Sequence, residues 1–501
     1  MSQIITVSSA ITGKSYQYVD GDPMRGALKD VYFSPDKTYV VAIYRDVQDF
    51  NSKERLRKIV TQYYEAFFNK EGGNYYKDLY CWPTDVVEVD KKAGLIVPAY
   101  KPVFFFKQGY ASSDLIKGQE KQGKWFASPK FRNKQFALRL DDSELGSWLS
   151  YFQICVNIAR GVKRLHAAGL AHSDLSYKNV LIDPVSKAAA IIDIDGLVVP
   201  GLFPPDVIGT ADFIAPEVLA TKHLDIKDPA RKLPSRLTDL HALAVMIYMY
   251  LLYRHPLKGG KVNDLDPEKD DLLSMGEKAL FIEHPTDPSN RPKLNQLNPK
   301  ELPWVDVTKL PYTLTGPYLK LLFEKAFITG LHNPSQRPTA NEWEDALLKT
   351  TDLLQPCSNP ACEQKWYVFD NTNKPKCPFC GTSHKGTLPV LDLYYQFKPG
   401  VWKPENHRLM VYNNQYLFQW HVNRNIVRNE KLTPEQKVPV GYFTFYNNQW
   451  VLVNQQLGSL KDITDNKEVP IGTMVTIMDG KKLLLSNEDG GHIVIVTMAN
   501  K

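Results

Sequence analysis

The chain has 501 residues, with 61 Lys and Arg against 55 Asp and Glu, for a net charge of +6. Its 43% hydrophobic and 23% charged content is ordinary for globular protein, so a sizeable core is affordable, and the length suggests three or so domains. The mild charge comes without a basic tract, which argues against a nucleic-acid partner.

The first residues, MSQIITVSSAITGKS, have neither a charged n-region nor an apolar h-region, so they do not read as a signal peptide. Residues from about 15 to 110 read as β-rich with one helix. Val31–Phe33 and Tyr39–Tyr44 are β-branched and aromatic runs joined by Ser34-Pro35-Asp36-Lys37, a turn signal. Residues 52–69 have helical character, and Val86–Val89 and Leu95–Val97 read as further strands. Residues 143–168 form a helix with apolar Trp148, Phe152, Ile158 and Val162 on one face. The longest apolar stretch, Leu240–Tyr253, is too short to span a bilayer and predicts a buried helix and no membrane association. A cytoplasmic, reducing location is the consequence, where clustered cysteines mean metal and the isolated Cys81 and Cys155 are inert core thiols. A last helix ends near Leu354, a cysteine cluster occupies 357–380, and residues 390–501 alternate short apolar strands with turns. That pattern predicts a small β-sandwich.

Five segments carry the chemistry, in order. His172-Ser-Asp-Leu-Ser-Tyr-Lys-Asn179 matches H-x-D-L-x-x-x-N. Ile192-Asp193-Ile194-Asp195-Gly196 stands where D-F-G would come next. Gly209-Thr210-Ala211-Asp212-Phe213-Ile214-Ala215-Pro216-Glu217 matches G-T-x-x-[FY]-x-A-P-E. Asp239 opens the apolar helix, and Arg337 lies in a late Gln-Arg-Pro-Thr. Together they resemble the C-lobe of the protein kinases. The resemblance implies a bilobal α+β fold, with an N-lobe at about 15–100 and a C-lobe at about 101–355, both within residues 1–355. It implies ATP and Mg²⁺ as cofactors, Asp174 as the base that accepts the hydroxyl proton, and Asn179 as an Mg²⁺ ligand. Asp193 is favoured as the second Mg²⁺ ligand by its spacing of fourteen residues from Asn179, with Asp195 a second ligand or a structural acceptor. Pro98 and Tyr100 would lie in the hinge that meets adenine. Lys178 would reach the γ-phosphate or serve only the surface. Thr210 matches the family threonine that bonds the base, which favours Ser or Thr as phosphate acceptor. Arg337 would pair with Glu217.

The usual third-strand V-A-x-K reads Val41-Ala42-Ile43-Tyr44, with Tyr in place of the phosphate-gripping lysine. Gly26-Ala27-Leu28-Lys29-Asp30-Val31-Tyr32 instead resembles the glycine-loop exit of the with-no-lysine kinases. Those use a lysine one strand over, and strands lie about 4.8 Å apart, within reach of a Lys stem. Lys29 is the candidate, against the alternative that it is a solvated strand lysine; Arg45 should face outward. The phosphate loop is degenerate, with Gly21 and Gly26 its remaining glycines. Glu65 is the expected helix glutamate that orients the lysine, with Glu54 as fallback. Ser173 replaces the Arg that reads a phosphorylated activation loop, and Leu197–Ile208 contains no Ser, Thr or Tyr. Both departures predict activity that activation-loop phosphorylation does not control.

Cys357-x₄-Cys362 and Cys377-x₂-Cys380 form two thiol pairs fourteen residues apart, the pattern of a closed structural Zn²⁺ ribbon over 356–388. The remaining 389–501 resemble a forkhead-associated (FHA) β-sandwich in strand order, without its phosphothreonine-reading motifs, so a plain docking domain is the reading. The phrases DVYFSPDKTYVVA, HSDLSYKNVLIDP and IDGLVVPGLFPPDVIGT resemble the kinase of bacterial tellurium-resistance-associated TerY phosphorylation modules. That resemblance implies a serine/threonine kinase acting on or with a VWA-domain, TerY-like partner, beside a PP2C-type phosphatase. The competing reading is a nucleotide-binding pseudokinase scaffold. A small-molecule kinase is opposed by the A-P-E segment and Thr210.

Overall fold

The computed structural model describes residues 3–26, 28–134, 136–199, 202–203, 209–370 and 374–500. The chain divides into two compact units. The first comprises Met1–Gly146, Gln153–Pro311 and Leu322–Glu344; the second comprises Ser147–Phe152, Tyr312–Leu321 and Asp345–Lys501.

The first unit opens with a hairpin of β1 (Ile4–Ser8) and β2 (Ser15–Val19), which the sequence reading does not anticipate. A five-stranded antiparallel sheet comes next. Its strands are β3 (Met24–Arg25), β4 (Lys29–Phe33), β5 (Tyr39–Tyr44), β6 (Asp85–Val89) and β7 (Lys92–Pro98), in the order β3-β4-β5-β7-β6. The β4–β5 turn is the expected one, closed by the Lys37 N–H on the Ser34 carbonyl. Alternation along β5 sorts its side chains onto two faces. Val41 packs with Tyr18, Val87 and Ile96 on the hairpin side. Ala42 and Tyr44 pack with Leu56, Ala93 and Leu95 on the other.

Leu56 belongs to the helix Phe50–Lys58, capped by Asp49, which accepts from the Ser52 N–H at 2.7 Å. The helix continues through a π-turn, Ile59–Tyr63, into Tyr64–Phe68. Deeper in the unit, Arg236–Leu252 is helical and buried at every position from Thr238 to Leu252, as a helix apolar all round must be. Strands β8 (Val180–Asp183) and β9 (Ala188–Ile191) form a hairpin with Val180 opposite Ile191. The segments entering and leaving it, 172–179 and 192–196, are thereby held side by side, and the Ile192 N–H donates to the Asn179 carbonyl.

The second unit begins its β structure with β10 (Leu354–Pro356) and β11 (Trp366–Val368), a two-stranded pair. Two antiparallel sheets complete it. The first contains β12 (Leu388–Lys398), β13 (Val401–Met410), β17 (Lys461–Asp462), β18 (Lys467–Glu468), β20 (Lys482–Leu484) and β21 (His492–Ala499). The second contains β14 (Gln415–Leu417), β15 (Gly441–Tyr446), β16 (Gln449–Asn454) and β19 (Met474–Ile477). One hydrophobic cluster joins Leu353, Cys362, Phe369 and Cys377 to Val390, Phe443, Leu452 and Val494. The cysteine segment and the sheets therefore share a core, and the boundary expected at 388/389 runs through it. Among the described residues no helix is long and apolar enough to cross a membrane.

Candidate active site

The loop His172–Asn179 is held by a buried carboxylate. Asp239, 1% exposed at the start of the central helix, accepts from the His172 N–H at 2.8 Å and the Ser173 N–H at 3.2 Å. His166 Nε2 lies 3.1 Å from the same carboxylate. Ser173 has φ +69°, the left-handed region, where a side chain costs on the order of 1–2 kcal/mol. The two amide bonds to Asp239 offset that strain. His172 Nε2 donates to the Ile192 carbonyl at 2.9 Å, which ties the loop to the segment after β9. Asp239→Asn is expected to lower the unfolding free energy of the first unit by about 3 kcal/mol, because an amide cannot accept both N–H groups as a carboxylate does. Urea-induced unfolding measures this, and a loss under about 0.5 kcal/mol would show that the anchor is dispensable.

Asp174, beyond that anchor, is partly exposed and held at both oxygens. Its Oδ1 accepts from the Thr210 N–H at 2.6 Å and the Thr210 hydroxyl at 2.9 Å. Asn179 Nδ2 donates to Asp174 Oδ2 at 2.9 Å and to the Asp174 carbonyl at 2.8 Å. With its NH₂ so engaged, Asn179 presents its amide oxygen as the end suited to a hard cation. Gly209 has φ +112°, a conformation that L side chains rarely adopt, so this turn beside the loop favours glycine. Lys178 is exposed and is not brought to Asp174. The position two after the base is Ser176, buried, with its hydroxyl 3.2 Å from that of Thr210.

Lys29 and Tyr44 are direct partners in the β4–β5 ladder. Directly opposed residues of an antiparallel pair project to the same face, so Lys29 stands where a lysine at 44 would. Its Nζ lies 5.4 Å from the Tyr44 ring centroid. It contacts both oxygens of Asp195, at 2.6 and 2.7 Å, and Asp193 Oδ1 at 3.1 Å. The Tyr44 hydroxyl donates to Asp195. Burial would lower the Lys29 pKa, but the charges of Asp195 and Asp193 leave it raised. Burial would raise Asp195, but Lys29 and Tyr44 hold it down at about 2. Asp193 is shifted up by desolvation and by the charge of Asp195. The two carboxylates differ in what remains free: the Asp195 side chain is 9% exposed, that of Asp193 51%.

Other expected residues lie elsewhere. Glu65 is exposed, beyond the π-turn and ten residues, or about 15 Å of helix, from buried Arg55. The expectation took the family's spacing from position 44; the π-turn adds a residue per turn and rotates the residues beyond it. Glu54 pairs with Arg57 on the helix surface at 3.8 Å. The Gly26 N–H donates to the Lys29 carbonyl, so this amide closes a turn and does not face a phosphate. Gly21 is exposed before β3. Pro98 ends β7 opposite Tyr39, and the Ala99 N–H is taken by the Thr38 carbonyl, so that amide is not free for adenine. Tyr100 packs partly buried with Leu181 and Ile192. Of the segment Leu197–Ile208, Pro200, Gly201 and 204–208 lie outside the described residues. Arg337 grips Glu217 with two parallel bonds of 2.8 and 2.7 Å. Sequence reasoning missed Arg55, Ser176 and the part played by Tyr44, which reads in the sequence only as a loss.

In the second unit, one ligand atom from each of Cys357, Cys362, Cys377 and Cys380 lies within 4.8 Å of the others. Cys357 and Cys380 sulfurs are 3.5 Å apart, those of Cys362 and Cys377 3.8 Å. Tetrahedral bonds of about 2.3 Å to one ion put ligand sulfurs about 3.8 Å apart, so the cluster fits Zn²⁺. Gly381, at φ +74°, turns the second pair, and Phe379 packs edge-on against Trp148 at 4.9 Å.

Residues 133–344 match the family model of the protein kinase domain. Two curated relatives, each named dual serine/threonine and tyrosine protein kinase, are similar over a short stretch. That of Apis mellifera is 34% identical over 74 residues, 15% of this chain, and that of Gallus gallus 32% over 71 residues, 14% of this chain. The chain spans 8% of the length of each. Among solved structures, a Toxoplasma gondii rhoptry antigen kinase domain matches with TM-score 0.41 and 13% identity, over 70% of this chain and 86% of that one. Toxoplasma gondii ROP2, titled a virulence factor with a protein-kinase fold and no enzymatic activity, gives 0.39 and 13% over the same shares. With the loop, the Thr210 segment and the Glu217–Arg337 pair in place, this chain carries a protein kinase-like domain.

Proposed function

We propose that the chain is an ATP- and Mg²⁺-dependent serine/threonine protein kinase. The observation that carries this reading is the ladder pairing of Lys29 with Tyr44, which supplies from β4 the ammonium that β5 lacks. Asp174 takes the proton of the attacking hydroxyl, oriented by Thr210 and Asn179. Lys29 binds the nucleotide phosphates. Asn179 and Asp193 would hold Mg²⁺, since Asp193 keeps an exposed carboxylate while Asp195 is taken up by Lys29 and Tyr44. Bound Mg²⁺ neutralises charge on the phosphates. The Thr210 hydroxyl beside Asp174 supports Ser or Thr as acceptor, and Ser173 in place of Arg supports control by something other than activation-loop phosphorylation.

Lys29→Ala is expected to lower transfer of labelled γ-phosphate to a generic Ser/Thr substrate about 10²–10³-fold, the usual loss for one donor to developing charge. Transfer that survives the change intact removes Lys29 from the chemistry. The second reading, a pseudokinase scaffold, is favoured by Tyr44 and by the engaged Gly26 amide; nucleotide binding without transfer in the native chain would select it. We further infer that the Cys₄ cluster holds structural Zn²⁺. The two sheets serve as an FHA-like docking domain. A VWA-domain protein is the substrate or partner, with a PP2C-type phosphatase opposing it, in the cytoplasm of a bacterium.

A further inference from the structure

In the protein kinases the phosphate-gripping lysine is oriented by a glutamate on the N-lobe helix, and both must be in place for transfer. Here the helix Phe50–Lys58 presents a cation. Arg55 is 3% exposed, and burial holds its guanidinium below its usual range against the opposing influence of Tyr44 and Asp195. A cation cannot orient Lys29. Neither acid on this helical segment reaches it: Glu54 faces Arg57, and Glu65 is exposed past the π-turn.

We propose that Asp195 is the positioning residue for Lys29 and replaces the helix glutamate. Both of its oxygens contact Nζ, and its buried carboxylate also accepts the Tyr44 hydroxyl. Tyr44 thus occupies the vacated lysine position and braces the carboxylate from the side where a lysine would have come. The hydrogen-bonded lysine–carboxylate pair is built from β4 and the segment after β9, while Arg55 of the helix adds its charge near Asp195. The two aspartates then have separate tasks: Asp195 holds the lysine and Asp193 faces outward. This inference rests on the reading of Lys29 as the phosphate-binding lysine.

Two measurements test it. The first needs no nucleotide: thermal midpoints of Lys29→Met, Asp195→Asn and the double variant, beside the same cycle with Glu65→Ala. A direct pair makes the Lys29 and Asp195 changes non-additive by about 2 °C or more, while Lys29 and Glu65 add. The second is rescue of phosphate transfer. In Lys29→Ala, adding Tyr44→Lys is expected to restore transfer at least tenfold, because position 44 already reaches Asp195. The rescue should survive Glu65→Ala and be lost with Asp195→Asn, the rate returning to that of Lys29→Ala or below. Additive midpoints for Lys29 and Asp195, or a rescue that needs Glu65 and ignores Asp195, would overturn the proposal. If the native chain shows no Lys29-dependent transfer, the parent reading fails, and the nucleotide-free cycle still decides whether Asp195 holds Lys29.

Discussion

Asp174→Asn is expected to lower γ-phosphate transfer about 10²–10⁴-fold, the range for loss of a general base, with a thermal midpoint close to native. The substitution is nearly isosteric, and its amide oxygen still accepts from Thr210 at the position of Oδ1. It cannot take the hydroxyl proton. Its NH₂ would also confront Asn179 Nδ2, which now donates to Oδ2, so the amide of Asn179 would have to turn. The measurement is the single-turnover rate with labelled ATP·Mg²⁺ beside the unfolding curve. A residual rate within tenfold of native would mean that transfer uses another base or none.

Metal removal is the second large effect. Elemental analysis is expected to give about one Zn per chain, and stripping it should lower the unfolding temperature of the second unit by at least about 10 °C, since structural zinc contributes on the order of 10 kcal/mol in small domains. Cys362 and Cys377 are 3% and 0% exposed and belong to the same core as the sheets, so losing the ion disturbs more than a surface loop. Without the metal, burial raises the Cys357 thiol to about 11, whereas contacts with Thr382 hold Cys380 down at about 6 against burial, and no ion ties the two thiol pairs together. Cys362→Ser should reproduce the loss in calorimetry. A chain containing no zinc, or one indifferent to chelator, would refute the site.

How much could be read from the sequence depended on how local each interaction is. Asp174 and Asn179 sit within one short motif, and Thr210, thirty-six residues on, was singled out only by the motif's resemblance to the protein kinases. Lys29 was singled out by the resemblance of residues 26–32 to the glycine-loop exit of the with-no-lysine kinases, and its place opposite Tyr44 shows in the ladder register. The placement of Glu65 was not legible, because which face of a helix meets the sheet depends on packing and here also on the π-turn at Ile59–Tyr63. For Asp193 and Asp195, spacing favoured Asp193 for Mg²⁺ and left Asp195 as a second ligand or a structural acceptor, without showing how differently the two are exposed. Two residues apart in sequence, they differ in exposure only once β4 places Lys29 over them. The Gly26 amide looked available because the sequence does not show the carbonyl that takes it.

The core shared by the cysteine segment and the two sheets bears on how this tail can be inherited. A chain cut or fused between Thr387 and Pro389 would expose Leu388, Val390 and the buried faces of Phe369 and Tyr367 to water, and quality-control proteases act on such surfaces. Recombination that moved the sheets without the four cysteines would deliver an unstable product to its new host gene. The cysteine segment and the two sheets should therefore travel between genes as one cassette, with cysteines and strands gained or lost together in related chains.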